Sequence, residues 1–211
     1  MRAARIKTSF ALFLLVLSAA VSARPAVAQG AQPPAGNSSA AAEKQMPAEV
    51  AIEYTYVHSN APPASCACFN LNGGSATFAW TFKPGNFALV GDITSAHAGS
   101  ISTAGLDLTL STYTAGVRYL PKLRDSPLHP WGQVLVGVAH ASGTLAQAPN
   151  PGAANAGAAF AANLGGGLDL RLNRRFAIRL YEVEYLLTTF DNGSNNHQNN
   201  LKVSTGVVIH F

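Results

Sequence analysis

The sequence predicts an all-β chain folded as an eight-stranded, antiparallel, up-and-down transmembrane β-barrel, and three observations carry that prediction. Apolar residues recur with period two through eight separate stretches, the signature of strands with one apolar face. Charge is scarce, at 11% Asp, Glu, Lys and Arg against 48% apolar residues. A soluble domain carries about 25% charge. Finally, the connections between the stretches alternate long and short, as in a barrel with loops at one end and tight turns at the other.

The chain opens with "MRAARIK", an apolar run from Phe10 to Val21, and "ARPAVAQG", in which Ala26 and Ala28 fit a small-x-small cleavage site. Residues 1–28 therefore read as a secretory signal peptide. The apolar run is shorter than the ~20 residues a membrane helix needs. Residues 29–47, rich in Ala, Pro, Ser and Gln without period, read as a flexible periplasmic linker, and 48–211 as the barrel. Of 14 Lys and Arg, four (Arg2, Arg5, Lys7 and Arg24) fall in the signal segment, leaving 10 against 10 Asp and Glu. The basic excess thus belongs to the precursor, and nucleic acid is not an expected partner.

The first strand, "EVAIEYTYVH", sets Val50, Ile52, Tyr54 and Tyr56 against Glu53 and Thr55. "ATFAWTF" gives Phe78, Trp80 and Phe82, and "FALVGDITS" sets Phe87, Leu89 and Ile93 against Asp92. "TYTAGVRY" sets Tyr113, Ala115, Val117 and Tyr119 against Thr112, Thr114 and Arg118. "WGQVLVGVAH" supplies Val134, Val136 and Val138; "ANLGGGLDLRL" sets Leu164, Leu168, Leu170 and Leu172 against Asn163, Asp169 and Arg171. In "FAIRLYEVEYLL" the apolar parity changes between Leu180 and Val183, so a bulge is expected near Tyr181. "LKVSTGVVIHF" closes the set, with Val203, Thr205, Val207, Ile209 and Phe211 opposite Lys202, Ser204 and His210.

Connections of about 15, 9, 17 and 12 residues follow the odd strands, and about 4, 10 and 3 follow the even ones. Both ends of the barrel then lie on the short-turn side. Phe82, Phe87, Tyr119, Trp131, Phe176 and Phe211 gather there as an expected interfacial girdle, with Tyr56, Phe160 and Tyr185 at the other edge. A soluble barrel would need a greasy interior and a polar wall. Here the charges take the face opposite the apolar stripe, so the apolar face is expected to meet lipid.

On these residues the chain resembles the OmpA/OmpX-type eight-stranded outer-membrane β-barrel proteins, over the barrel domain only, roughly Glu49 to Phe211. The final strand carries the strongest likeness. Outer-membrane barrels end in a polar–any–Gly–any–any–apolar–any–aromatic signal, and Ser204, Gly206, Ile209 and Phe211 occupy those places. The resemblance implies an integral outer-membrane monomer whose partners are lipid and the barrel-assembly machinery, which reads the last strand. Such reading would proceed by strand addition to an exposed edge. "GGGLDLRLNRRFAIR" has the look of the same superfamily's strand–turn–strand pairs.

An eight-stranded barrel has an interior that side chains just fill. The expected lumen network is Glu53, Asp92, Arg118, Asp169, Arg171, Arg179, Glu184 and Lys202, with Glu182 beside them. Enclosed charges must pair, so the expected role is a structural scaffold that presents surface loops. A narrow gated pore is one alternative, and adhesion or metal binding through the loops is another. No catalytic residue is assigned: His58 and Ser59 adjoin, but strand neighbours point to opposite faces. Cys66 and Cys68 could form a small, strained loop disulfide. His58, His97, His140 and His197 stand one by each long loop, without close ligand spacing, so no metal or other cofactor is expected.

Overall fold

Each of the eight alternations becomes a strand in the computed structural model, which describes residues 47–59, 68–82, 86–101, 105–121, 123, 126–146, 157–190 and 196–211. The strands are β1 (Ala48–Ser59), β2 (Phe69–Thr81), β3 (Phe87–Ile101), β4 (Leu106–Tyr119), β5 (Leu128–Ser142), β6 (Ala158–Arg171), β7 (Phe176–Thr188) and β8 (Gln198–His210). They pair antiparallel in chain order, and β8 closes on β1. The signal segment, the linker before residue 47 and Cys66 lie outside the described residues.

Closure fixes the tilt. The register traced from Ala48 passes through Trp80, Leu89, Val117, Val134, Leu164, Tyr185 and Leu201, and returns to β1 at His58, ten residues along. A sheet can close only with such a stagger, and closing removes every free edge.

Side-chain polarity is inverted relative to a soluble protein. Ile52 and Leu164 are 64% and 61% exposed on the outer wall, while Arg118, Arg179 and Lys202 are at 0% inside. Phe82, Phe87, Tyr119, Phe176 and Phe211 are exposed around the turn-side edge. Trp131 is a correction: it is 5% exposed and lies within the lumen. It shares parity with the buried Gln133 and Leu135, and β5 runs below the end of β4, where Tyr119 pairs with Gly132. A position at a strand end therefore did not make it a girdle residue.

The strands are longer at the loop end than the apolar alternation marks. β2 begins at Phe69, and only residues 102–105 separate β3 from β4, so one of the four expected long loops is a connection of four residues. Ser100 (φ 57°) and Gly105 (φ 65°) adopt left-handed backbone there. The reason is physical: above the belt the outer wall meets water, so Asn70, Asn72, Ser95 and Thr109 continue the ladder without an apolar signal. In β7 the register shifts between Arg179 and Glu182, where the sequence parity placed it. Arg179, Glu182 and Glu184 all face inward because of it.

Candidate functional site

Two layers dominate the lumen. The turn-side layer is ionic, edged by small apolar clusters at Ala79, Ala88, Val90 and Leu135 and at Ala51, Ala177 and Val208. Lys202 Nζ lies 3.0 Å from Glu184 and 3.3 Å from both Asp92 and Glu182, with all four side chains fully buried. Thr77 and Thr94 donate to Asp92 at 3.0 and 2.9 Å, and Gln133 and Asn163 donate to Glu184 at 2.7 and 2.8 Å. The remaining lone pairs of Asp92 and Glu184 thus meet neutral donors, which enclosed ions require, whereas Glu182 contacts the cations Lys202 and Arg179 and its Oε1 accepts no hydrogen bond.

Arg179 is the second centre. Its guanidinium reaches Glu53 at 2.5 Å, Asp169 at 2.9 Å, Glu182 at 3.0 Å and Glu49 at 3.8 Å. Arg118 pairs with Glu49 at 2.5 Å and donates to Gln133 at 2.9 Å. Both guanidinium carbons also stand over the Trp131 ring, at 3.9 Å for Arg118 and 4.4 Å for Arg179. The indole's π face so attracts two cations that repel one another.

Glycines make this packing possible. A Cβ on Gly167 would come within 2.6 Å of the Trp131 ring. Gly206 pairs with Glu53 on one side and Arg179 on the other, so their ion pair crosses above it. A Cβ on Gly206 would stand 2.1 Å from the Ile52 carbonyl oxygen and 2.9 Å from Glu53 Cγ.

The loop-side layer is apolar. Val57, Phe69, Leu71, Ile101, Leu110 and Leu186 form one buried cluster, against which Leu106, Leu108, Leu145 and Phe190 pack. Sequence reasoning gave this layer no role. The signal was present in the inward parity of Val57 and Leu186.

Of the expected lumen residues, the structure gathers Glu53, Asp92, Arg118, Asp169, Arg179, Glu184 and Lys202 into one network. Arg171 stands apart, partly exposed, and makes no ion pair among the described residues. Glu49 and Trp131 were missed as members, although Glu49 shares parity with Glu53. In the final strand Ser204 is buried and hydrogen-bonds Thr55 at 3.0 Å, Ile209 pairs with Val50, and Phe211 points outward at 62% exposure.

No family model matches the chain, and no curated protein matches it. Solved structures do. Neisserial surface protein A (NspA) superposes with a TM-score of 0.57 at 13% identity, over 78% of this chain and 97% of that one. OprG from Pseudomonas aeruginosa gives 0.51 at 10%, over 79% and 97%. Ail, the attachment invasion locus protein of Yersinia pestis, gives 0.50 at 15%, over 79% and 100%. The fold is that of the OmpA/OmpX-type outer-membrane barrels.

On this barrel the other candidates separate. His58 points outward to Asn70, 2.7 Å away, while Ser59 is buried on the lumen side, so the two form no acid–base pair. Cys68 is exposed just before β2. Among the described residues no group of three or more His, Cys, Asp or Glu is placed to hold a metal ion. At the loop-side rim, above the belt, the Thr144 hydroxyl donates to the Asp107 carboxylate at 2.5 Å. That bond and the Thr144 backbone N–H hold the Asp107 carboxyl below its ordinary range.

Proposed function

We propose that the protein is an integral outer-membrane barrel, exported by residues 1–28 and inserted as a monomer, whose sealed body presents its loops at the cell surface. The observation that carries this reading is the inverted wall: large apolar side chains are exposed all round, while the fully buried side chains include Arg118, Arg179 and Lys202. Hydrocarbon is the solvent that rewards such a surface, and a closed barrel leaves no backbone group unpaired in it. The short turns and both barrel ends face the periplasm in this reading. The final strand, through Ser204, Gly206, Ile209 and Phe211, is what the assembly machinery engages.

A scaffold is favoured over a pore because two unlike layers obstruct the lumen. An ion crossing it would have to part the Lys202 and Arg179 networks and then a dry plug around Leu71 and Leu186. The membrane assignment is tested by fractionation and by a heat-dependent gel shift of the refolded chain. Planar-bilayer recording tests the seal. A silent trace is expected, and steady single-channel steps would replace the scaffold with the pore.

A further inference from the structure

Of the four histidines that the sequence distributes among the loops, three stand at nearly one height on the outer wall and the fourth stands above them, just before β8. His58 hydrogen-bonds Asn70 at 2.7 Å, and His97 hydrogen-bonds Thr109 at 3.0 Å. Asn72, two residues from Asn70, pairs in register with His97; Ser111, two residues from Thr109, pairs with His140. Because the register climbs ten residues over eight strands, points of equal height fall back by about one residue per strand. On that geometry His58, His97 and His140 agree in height to about one residue step, and His197 on the β8 side stands about two steps higher. His97 and His140 lie above the outward apolar positions Ile93, Tyr113 and Val138, Leu201 stands beside His58, and on β6 the exposed Phe160 reaches the same level.

A side chain directly above the apolar belt meets the headgroup of the lipid whose tails cover that belt. This rim offers imidazoles, amides and hydroxyls, the donors that phosphate oxygens accept from. Outward Lys and Arg are absent from it among the described residues. Imidazole is the group whose charge changes between about pH 5 and 8. We infer that the four histidines form an acid-switched collar for the phosphate groups of outer-leaflet lipids.

The groups facing the collar are few. Asn70 on β2 and Leu201 on β8 flank His58; Asn72 and Thr109 flank His97; Ser111 and Ala158 flank His140; Asn196 lies by His197. Tyr54 and Tyr185 lie below, bonded to Asn72 and Asn199. Asp107, which interacts electrostatically with His97, is the one carboxylate near the arc among the described residues. Protonation therefore turns a nearly neutral rim into a cationic one.

This inference rests on the membrane reading, and the experiment separates the two. The full chain is refolded into mixed phosphatidylglycerol and phosphatidylcholine bilayers, since the phosphodiester keeps its charge throughout the range used. Bound lipid is counted by native mass spectrometry at about pH 7.5 and about pH 5.5. Phosphatidylglycerol preference is expected to rise about fivefold at each engaged position on acidification, and the fourfold His→Gln variant is expected to lose the rise. Should that variant fail to fold, His58→Gln with His97→Gln is expected to lose about half of it. An unchanged preference between the two pH values, or a rise that survives the substitutions, overturns the collar. Failure to enter bilayers at all would overturn the membrane reading instead.

Discussion

Lys202→Met tests the ionic layer where its geometry is tightest. The substitution keeps length and removes one charge from among Asp92, Glu182 and Glu184, none of which reaches water. At an effective dielectric near 20, each contact of this length is worth about 5 kcal/mol. Repulsion among the three carboxylates and the desolvation of all four ions offset most of that sum. What survives is the cost of breaking an enclosed pair, about 3–5 kcal/mol. Most of that cost is the stranded carboxylates, so adding Asp92→Asn and Glu184→Gln to Lys202→Met, which leaves Glu182 its Arg179 partner, is expected to restore stability. Urea unfolding of vesicle-refolded protein, with the folded fraction read from the heat-shifted gel band, measures both. The reasoning fails if Lys202→Met lies within about 1 kcal/mol of the parent, or if the triple variant is weaker than the single.

Three further expectations follow from which way side chains face. Val134→Arg, at mid-height on the wall, is expected to cost about 2–4 kcal/mol in the same urea assay, and Leu201→Arg near the upper edge about 0–1; equal costs would deny the belt. Trp80→Phe leaves Trp131 as the sole tryptophan. Its fluorescence should resist quenching by bromine-labelled acyl chains, whereas Trp131→Phe leaves a lipid-facing Trp80 that is strongly quenched. Quenching of Trp131 would place it back on the outer wall. Gly206→Ala is expected to destabilise by about 1–3 kcal/mol through its clash with Ile52 and Glu53. Gly91→Ala, where a Cβ meets nothing within 4 Å, should stay within about 0.5 kcal/mol.

Legibility followed the period of two. Wherever large apolar and charged residues alternate, as from Val50 to Thr55 or from Leu168 to Arg171, the sequence states both face and strand, and the break at Leu180 announces its own bulge. The strand ends were illegible because alternation reports the solvent, not the ladder. Once the wall leaves hydrocarbon, Asn70, Ser95 and Thr109 are as good as loop residues to the eye. Trp131 shows the converse limit. An aromatic at a strand end suits a membrane interface, and only the cation-bearing side chains across the lumen, Arg118 and Arg179, reveal that this one is a platform. Those partners sit 13 and 48 positions away in sequence, beyond the reach of any local pattern. Gly206 carries two constraints at once, since the place where the terminal signal wants glycine is also where the Glu53–Arg179 pair needs clearance.

The bulge in β7 turns that dependence on parity into a sharp test. Deleting one residue from a membrane strand flips everything beyond it to the other face. In β3, loss of Ile93 would send either Asp92 and Val90 or Thr94 and Ala96 into lipid, and the barrel should not form. In β7 the outcome is opposite. Leu168 pairs with Tyr181 and Asp169 with Arg179, so Leu180 is the residue passed over on the β6 side. Without it, Arg179, Glu182 and Glu184 keep their inward faces on an unbroken ladder. The bulge also has a dedicated partner: the Thr205 hydroxyl, on the outer wall, donates to the Arg179 carbonyl oxygen at 2.9 Å. Thr205→Val should therefore cost about 1–3 kcal/mol, the penalty of an unsatisfied carbonyl away from water. In a chain already lacking Leu180 the same substitution should cost almost nothing, because the straightened ladder supplies the bond. Folded-fraction measurements on the two single variants and their combination decide it. If loss of Leu180 proves as ruinous as loss of Ile93, the extra residue holds Arg179 in place by some means other than parity.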